Sequence, residues 1–537
     1  MAIAWRDRLG ASLFMSIAED RARGDDKFWL PLALFCLQYA FFTFIAWHRF
    51  VDGDEGFYLL ASRLVLEHKK PYLDFFYTQA PLLPYVYGLW MKLFGVTWWS
   101  AKLLSALLTS MLGTLLCVEV LRHTRKWLAG VVAVVLFATS TLIFGFYPVV
   151  KTYSLAGFLL FAAYSLVGRL SDASPQWQVA AGGLLLGLSV STRSYLVLTL
   201  PVLLWWILRY SEERTRLDRT LYFIGGFVVG TIPCLYLFAA SPRAFLFNNL
   251  GYHALRSEGG LLGMWSEKFF SLLAVFLSRV EGNGLQTSLA FLVSIALLMS
   301  MPKVRYVPRL AFQMALAVGL TSLLPTPVHP QYFCLCIPFL LLTAVCVVTD
   351  YFGQMESGRR RRLAAVLYTL AVVCYIGAAL SDFRRYLVTG EGVPGVEAGL
   401  ANDYRLPQVL QVSRAIDQIA LPGETVASFW PGYIFQTHTE PLPGLENDFA
   451  LPVAAELTDE QRAEYGIVSP DEVKAAFASH KPRVVVLRDH ISTPTNVEYR
   501  QKVRLLEDGF RVAMETQGYD RVKTIDDISI YVFRSAG

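Results

Sequence analysis

Three carboxylates, Asp52, Asp54 and Glu55, crowd into the run Val51-Asp-Gly-Asp-Glu-Gly-Phe-Tyr58, and an aromatic segment follows, Pro71-Tyr-Leu-Asp-Phe-Phe-Tyr-Thr-Gln-Ala-Pro81. A carboxylate against an apolar aromatic wall loses hydration, which raises its proton affinity and suits it to general-base work. The competing account is that these acids simply favour water at the end of a membrane span. Cations are scattered further along the chain. Arg193 falls between two short apolar blocks, Lys151 precedes another, and His329 stands in the proline-rich run Pro325 to Pro330. An arginine at the edge of the hydrocarbon can hold two phosphate oxygens at once, and Lys151 and His329 can assist it. Lys151 could equally snorkel to the interface, and His329 could do no more than end a helix. Asp74 can cap a helix or orient Tyr72 and Tyr77. Arg279, Glu281 and Asn283 lie near an outer face, where an acceptor could reach them.

The elements that must position these residues are mostly membrane helices. The 537 residues are 54% hydrophobic and only 17% charged, against about 25% charged for a soluble domain. Apolar blocks at 28–50, 99–121, 127–147, 153–170, 178–191, 195–209, 220–240, 285–301, 310–325, 331–349 and 363–381 predict eleven spans, each near the length needed to cross the bilayer. The segment from Phe269 to Val280 reads as an interfacial helix. Arg6, Arg8, Arg21, Arg23 and Lys27 precede the first block, which puts residues 1–27 in the cytoplasm. Alternate loops agree with that orientation, from Arg122, Arg125 and Lys126 through Arg209 to Arg219, then Lys303 to Arg309, to Arg359 to Arg362. An odd number of spans leaves the C-terminus outside, in a multi-pass cell or inner membrane protein. The net charge of +5 is thereby a topology signal and calls for no nucleic acid. All seven cysteines fall in apolar blocks and read as small buried side chains.

After Ser381 the charge density rises. Residues 382–537 therefore form a separate α/β domain outside the membrane, following the transmembrane domain 28–381 with its first outer loop at 51–98. Strands are predicted at 425–430, 483–487, 511–515 and 528–533, and helices at 406–420, 470–479 and 497–508. Ser469 before Pro470, Asp471 and Glu472 is a strong helix start. The runs Ser428 to Gln436 and Glu440 to Phe449 are unusually apolar and rich in Pro and Gly, which marks a face against the membrane or an acceptor, or else ordinary core and turns. This tail has no nucleophilic triad, P-loop or dinucleotide fingerprint, and the sequence shows no convincing metal site.

The order of these motifs resembles the GT-C superfamily of membrane glycosyltransferases, and within it the branch of protein O-mannosyltransferases and aminoarabinose transferases. The resemblance rests on the Asp54-Glu55 pair after the first span, Tyr58 three residues on, Pro71-Tyr-x-Asp74, the Gly-rich span Gly182 to Tyr195 carrying Arg193, and His329-Pro-Gln-Tyr332 before a late span. It implies transfer of a sugar from a polyprenyl-phosphate carrier to a lipid, polysaccharide or protein acceptor on the outer face, with inversion. Asp54 would then be the catalytic base and Glu55 its acidic neighbour. Arg193, Lys151 and His329 would hold the donor phosphate, and Tyr58, Tyr72, Asp74 and Tyr332 would bind or orient substrate. No metal is required, because the leaving group is a phosphate monoester. The chain departs from related enzymes at Lys151, where they often carry a second acid. The alternatives are a transporter or lipid flippase, or a GT-C enzyme with a diphosphate donor and a divalent metal.

Overall fold

The computed structural model describes residues 29–534 apart from 172, 256–259, 279–282, 301–305, 392, 394–395, 397–403 and 489–496. The N-terminal basic residues, Arg279, Glu281, Lys303 and Arg305 therefore lie outside the described residues. The chain opens with α1 (Trp29–His48), then α2 (Glu55–Leu66), α3 (Leu82–Phe94), α4 (Trp98–Thr124), α5 (Trp127–Ala138), α6 (Thr141–Phe146), α7 (Thr152–Gly168) and α8 (Gln176–Thr192). Helices continue through Arg359–Arg384.

Each apolar block is helical, but the helices are not uniform. Among the described residues four are long and apolar enough to cross a membrane: Trp29–His48, Trp98–Thr124, Pro330–Gln354 and Arg359–Thr389. The expected span at 220–240 is instead a pair, Glu213–Gly230 and Ile232–Ala240, bent by 53°. The expected span at 127–147 is broken after Ala138, where Ser140 starts the short α6. The backbone freed by that break is satisfied by Gln286, which donates to Thr139 O (2.9 Å) and accepts from Thr141 N (2.8 Å). Asn283 supports the same junction from beside it, donating to buried Asp382 (2.7 Å), so its surroundings are structural. Outward faces stay apolar: Leu367, Leu370 and Val373 on the last long helix are all exposed, as befits an integral membrane protein. The cysteines are free, and Cys36 and Cys374 lie exposed on such faces instead of buried.

Two helices approach until their backbones touch. A Cβ added at Gly183 of α8 would lie 2.0 Å from Phe223 O, and one at Gly226 would lie 2.0 Å from Ala180 O. Small residues at this spacing let α8 and Glu213–Gly230 pack without intervening side chains. The contact fixes the axis of α8 and with it the position of Arg193, the residue that ends it.

The C-terminal part carries a five-stranded sheet in the order β2-β1-β3-β5-β4, with β1 Thr425–Ser428, β2 Glu440–Pro441, β3 Val484–Arg488, β4 Tyr519–Ile525 and β5 Ile528–Phe533. β1 runs parallel to β2 and β3, and the β3/β5 and β4/β5 pairs are antiparallel. Alternate residues serve the two faces. Val484, Val486 and Ile530 join a core with Val51 and Tyr58 of the first loop, while Val485, Leu487 and Tyr531 pack on Phe477 and Phe510. Ser469 caps Pro470–Ala478 through a capping box with Glu472. The strand expected at 511–515 is absent because helix Val497–Thr516 runs through it, its Phe510 and Met514 buried one turn apart. β4 follows instead.

Gly183→Ala should force α8 and its partner apart, costing about 1–3 kcal/mol of stability. Gly225→Ala, where a Cβ meets nothing within 4 Å, should be neutral or slightly stabilising. Thermal unfolding of both variants in detergent checks this, and equal melting temperatures would refute the backbone contact.

Candidate functional site

The loop after α1 folds into a buried lattice of charge. Glu55, fully buried at the start of α2, accepts from Lys102 Nζ of α4 (2.8 and 3.1 Å), from Val150 N (3.1 Å) and from Asp52 N (3.0 Å). Asp52, also fully buried, lies 2.7 Å from Lys151 Nζ and 3.6 Å from Arg49. Asp54 lies 2.8 Å from the same Lys151 and is the exposed member, with 36% of its side chain accessible. A buried carboxylate is tolerated only when paired and hydrogen-bonded, and here three acids meet three cations, one just after α1, one on α4 and one in the α6–α7 connection. The expectation that Lys151 helps hold a donor phosphate meets a different arrangement, since its ammonium is engaged by Asp52 and Asp54.

Arg193 sits beside this lattice in an aromatic box. Its guanidinium lies over the rings of Tyr153, Tyr195 and Tyr332, at 4.6, 4.8 and 4.8 Å from their centroids. It donates to Thr152 Oγ1 (2.6 Å) and to the Tyr195 hydroxyl. Among the described residues no carboxylate lies within ion-pair distance of it. Tyr58 bridges the two groups: burial and then the Asp54 charge hold its phenol well above the usual range, and Arg193 opposes the rise. Its hydroxyl therefore stays protonated.

The other expected residues divide. His329 packs edge-on against Tyr332, with ring centroids 5.5 Å apart, and so lines the outside of the arginine box. Tyr72, buried and bonded through its hydroxyl to Gln79 O, reaches Tyr58 only through Tyr77. Asp74 closes a local turn by accepting from Lys70 N (2.6 Å), a shaping role. Among the described residues no group of three or more His, Cys, Asp or Glu side chains is placed to hold a metal ion.

Residues 78–237 match the model of a family described as dolichyl-phosphate-mannose-protein mannosyltransferase. The crystal structure of ArnT from Cupriavidus metallidurans bound to undecaprenyl phosphate superposes with a TM-score of 0.63 at 14% identity, covering 94% of this chain and 98% of that one. Its apo state superposes equally, with a TM-score of 0.63 at 13% identity over 93% and 97% of the two chains. The chain has the GT-C fold. It resembles the branch of that superfamily to which ArnT and the protein mannosyltransferases belong. No curated protein matches it by sequence.

Within this GT-C fold the α/β layer covers the acid loop. Trp430 Nε1 donates to Gly53 O (2.8 Å), Gln436 Oε1 accepts from Trp98 N (3.2 Å), and Phe449 packs on Phe57 with ring centroids 5.5 Å apart. Both Pro/Gly-rich runs thus face the loop. Backbone meets backbone here too, since a Cβ at Gly56 would lie 2.6 Å from Gly432 N. Arg63 of α2 binds the layer further, donating to the carbonyls of Ile434, Thr437 and Thr439 at 2.7 to 3.1 Å. Sequence reasoning marked the Glu440 to Phe449 run but singled out neither Asp448 within it nor Glu507. Burial, then the Asp54 charge, pushes Asp448 up to about 7, and burial, then Asp448, pushes Glu507 up to about 8.

A carboxyl with a raised folded-state pKa binds its proton more tightly when folded. Its contribution is present below about pH 4, the unfolded value, and is lost as pH rises through the folded value. Stability should therefore fall between about pH 4 and pH 8, and Asp448→Asn or Glu507→Gln should each flatten that slope by up to about 1.4 kcal/mol per pH unit. Melting temperatures across this range measure it, and an unchanged slope would contradict the burial of these groups.

Proposed function

We propose that this chain transfers a sugar from a polyprenyl-phosphate carrier to an acceptor hydroxyl, inverting the anomeric centre, with Asp54 as general base and Arg193 as the partner of the donor phosphate. The observation that carries this reading is the contrast between neighbours. Asp52, Asp54 and Glu55 are each paired with a cation, the two aspartates sharing Lys151, whereas Arg193 is a buried cation among aromatic faces and hydroxyls. An anion entering beside it would supply the missing counter-charge. The match to a family named for a dolichyl-phosphate sugar donor and the fold shared with ArnT, solved with undecaprenyl phosphate, support the carrier class.

In the reaction the acceptor oxygen forms a bond to the anomeric carbon while the bond to the phosphate oxygen breaks. Its electron pair stays on the phosphate, and the acceptor proton passes to Asp54. Charge grows on the phosphate as it leaves, so a fixed guanidinium in a water-poor site stabilises the transition state more than the ground state. The half-exposed Asp54 is the member of the acid lattice that an acceptor can reach. Tyr58 and Tyr332 wall the space between base and arginine. The acceptor side lies on the non-cytoplasmic face, beneath the α/β layer, and the acceptor is a lipid, polysaccharide or protein.

Asp54→Asn should lower turnover at least about a hundredfold, the scale of a lost general base, with undecaprenyl phosphate binding retained. Arg193→Ala should weaken both binding and turnover, and Arg193→Lys should restore part of each, since an ammonium cannot chelate two oxygens. Binding of undecaprenyl phosphate and sugar transfer in the purified variants decide the matter. Near wild-type transfer by Asp54→Asn would remove the base, and normal binding by Arg193→Ala would remove the phosphate partner.

Topology has its own check. In a background lacking Cys36 and Cys374, a cysteine replacing exposed Glu460 should react with a membrane-impermeant reagent on intact cells. One replacing Arg360 should not. The reverse pattern would place the site on the cytoplasmic side.

A further inference from the structure

We propose that Lys151 is a positioning residue that clamps one oxygen of Asp54 and leaves the other turned toward the acceptor. The inference rests on the glycosyl-transfer reading above and assigns Lys151 to the base instead of the phosphate. Its side chain is 2% exposed and stands between two carboxylates, 2.7 Å from Asp52 Oδ1 and 2.8 Å from Asp54 Oδ2. Asp52 Oδ1 also accepts from Asp54 N (3.1 Å), so the lysine and the backbone of Asp54 converge on a single oxygen. Oδ2 is the Asp54 oxygen nearest the ammonium, and 36% of the side chain stays accessible. Asp54 is thus paired with the lysine and still open to an acceptor.

The neighbouring backbone enforces this geometry. Val150 N donates to Glu55 Oε2 (3.1 Å), so two successive residues of the α6–α7 connection grip the acid loop, one through its amide and one through its ammonium. Asp52 cannot turn away, because it is fully buried and faces Arg49 on its other side. Lys151 in turn is a buried cation whose charge is answered by exactly these two acids, and moving it toward a phosphate would leave Asp52 and Asp54 facing each other with one cation fewer. A lysine so held favours ionised Asp54 before the acceptor arrives. As Asp54 takes the acceptor proton it becomes neutral, and Asp52 remains to pair with the ammonium.

The charged and titratable groups around Asp54 are Asp52, Glu55, Arg49, Lys102, Lys151, Arg193, Tyr58, Tyr332 and Asp448. Lys151 is the cation in direct contact with it, so removing Lys151 should raise the Asp54 titration midpoint by about one pH unit or more. The test is an infrared titration of the purified full-length protein in detergent. The Asp54 carboxyl band is assigned by its loss in Asp54→Asn and followed in Lys151→Met and in Lys151→Met with Asp52→Asn. The double variant removes buried acid and cation together, so that a folded protein is available even if the single variant fails. Undecaprenyl phosphate affinity is measured beside it. The inference expects an upward shift of the midpoint with affinity within about twofold of wild type, and a wild-type midpoint in Lys151→Arg. An unmoved midpoint in Lys151→Met, or in the double variant measured against Asp52→Asn alone, overturns it, and an unmoved midpoint with affinity lowered about tenfold makes Lys151 a phosphate ligand. Neither readout depends on transfer, so failure here leaves the Asp54→Asn activity test of the base itself standing.

Discussion

The buried carboxylate of Glu55 is the constraint on which the site depends. It accepts four hydrogen bonds from three groups, the ammonium of Lys102 on α4, the amide of Val150 and the amide of Asp52. A charge removed from water costs several kcal/mol unless its partners are in place. The loop keeps this shape only with α4 and the α6–α7 connection packed beside α2. The packing of the helical bundle and the shape of the site depend on each other. Asp54 is therefore carried on a loop whose next residue is pinned from three directions.

Neutrality within the lattice gives the adjacent arginine its significance. Acids and cations of the first loop cancel, so Arg193 remains as a buried positive charge faced by tyrosine rings. Ring faces attract a cation but do not neutralise it. Its position comes from a distant feature, the glycine contact between α8 and Glu213–Gly230, which brings two backbones within touching distance. A helix seated that closely cannot slide, and the residue ending it cannot drift. A stripe of small residues with no chemistry of its own thus governs the geometry of a group that has chemistry.

The α/β layer completes the enclosure by laying backbone on backbone. Trp430 caps the Gly53 carbonyl, and Arg63 reaches from α2 to three carbonyls of the layer. These contacts take apolar area and polar groups out of water together, which raises the strength of every charge interaction beneath. They also bring Asp448 and Glu507 close enough for each to feel its neighbour's charge.

Much of this was legible in the sequence. Blocks of apolar residues determine helices wherever they occur, because a peptide group in hydrocarbon must satisfy its hydrogen bonds within its own segment, and the helix start at Ser469 follows from local chemistry. The pairing of Asp54 with Glu55 and the isolation of Arg193 between apolar blocks were visible as residue types at particular places. What each side chain touches was not. The break after Ala138 depends on Gln286, roughly 150 residues away, and the strand expected at Arg511 to Glu515 gave way to a helix once Phe510 and Met514 found a common face to bury. Lys151 is the clearest case. In the sequence it is a lone lysine before a span, equally suited to an interface or a phosphate. Only the tertiary fold, by setting Asp52 and Asp54 within 3 Å of its ammonium, decides its partner, because Coulomb energy in a buried site depends on distances that no spacing along the chain encodes.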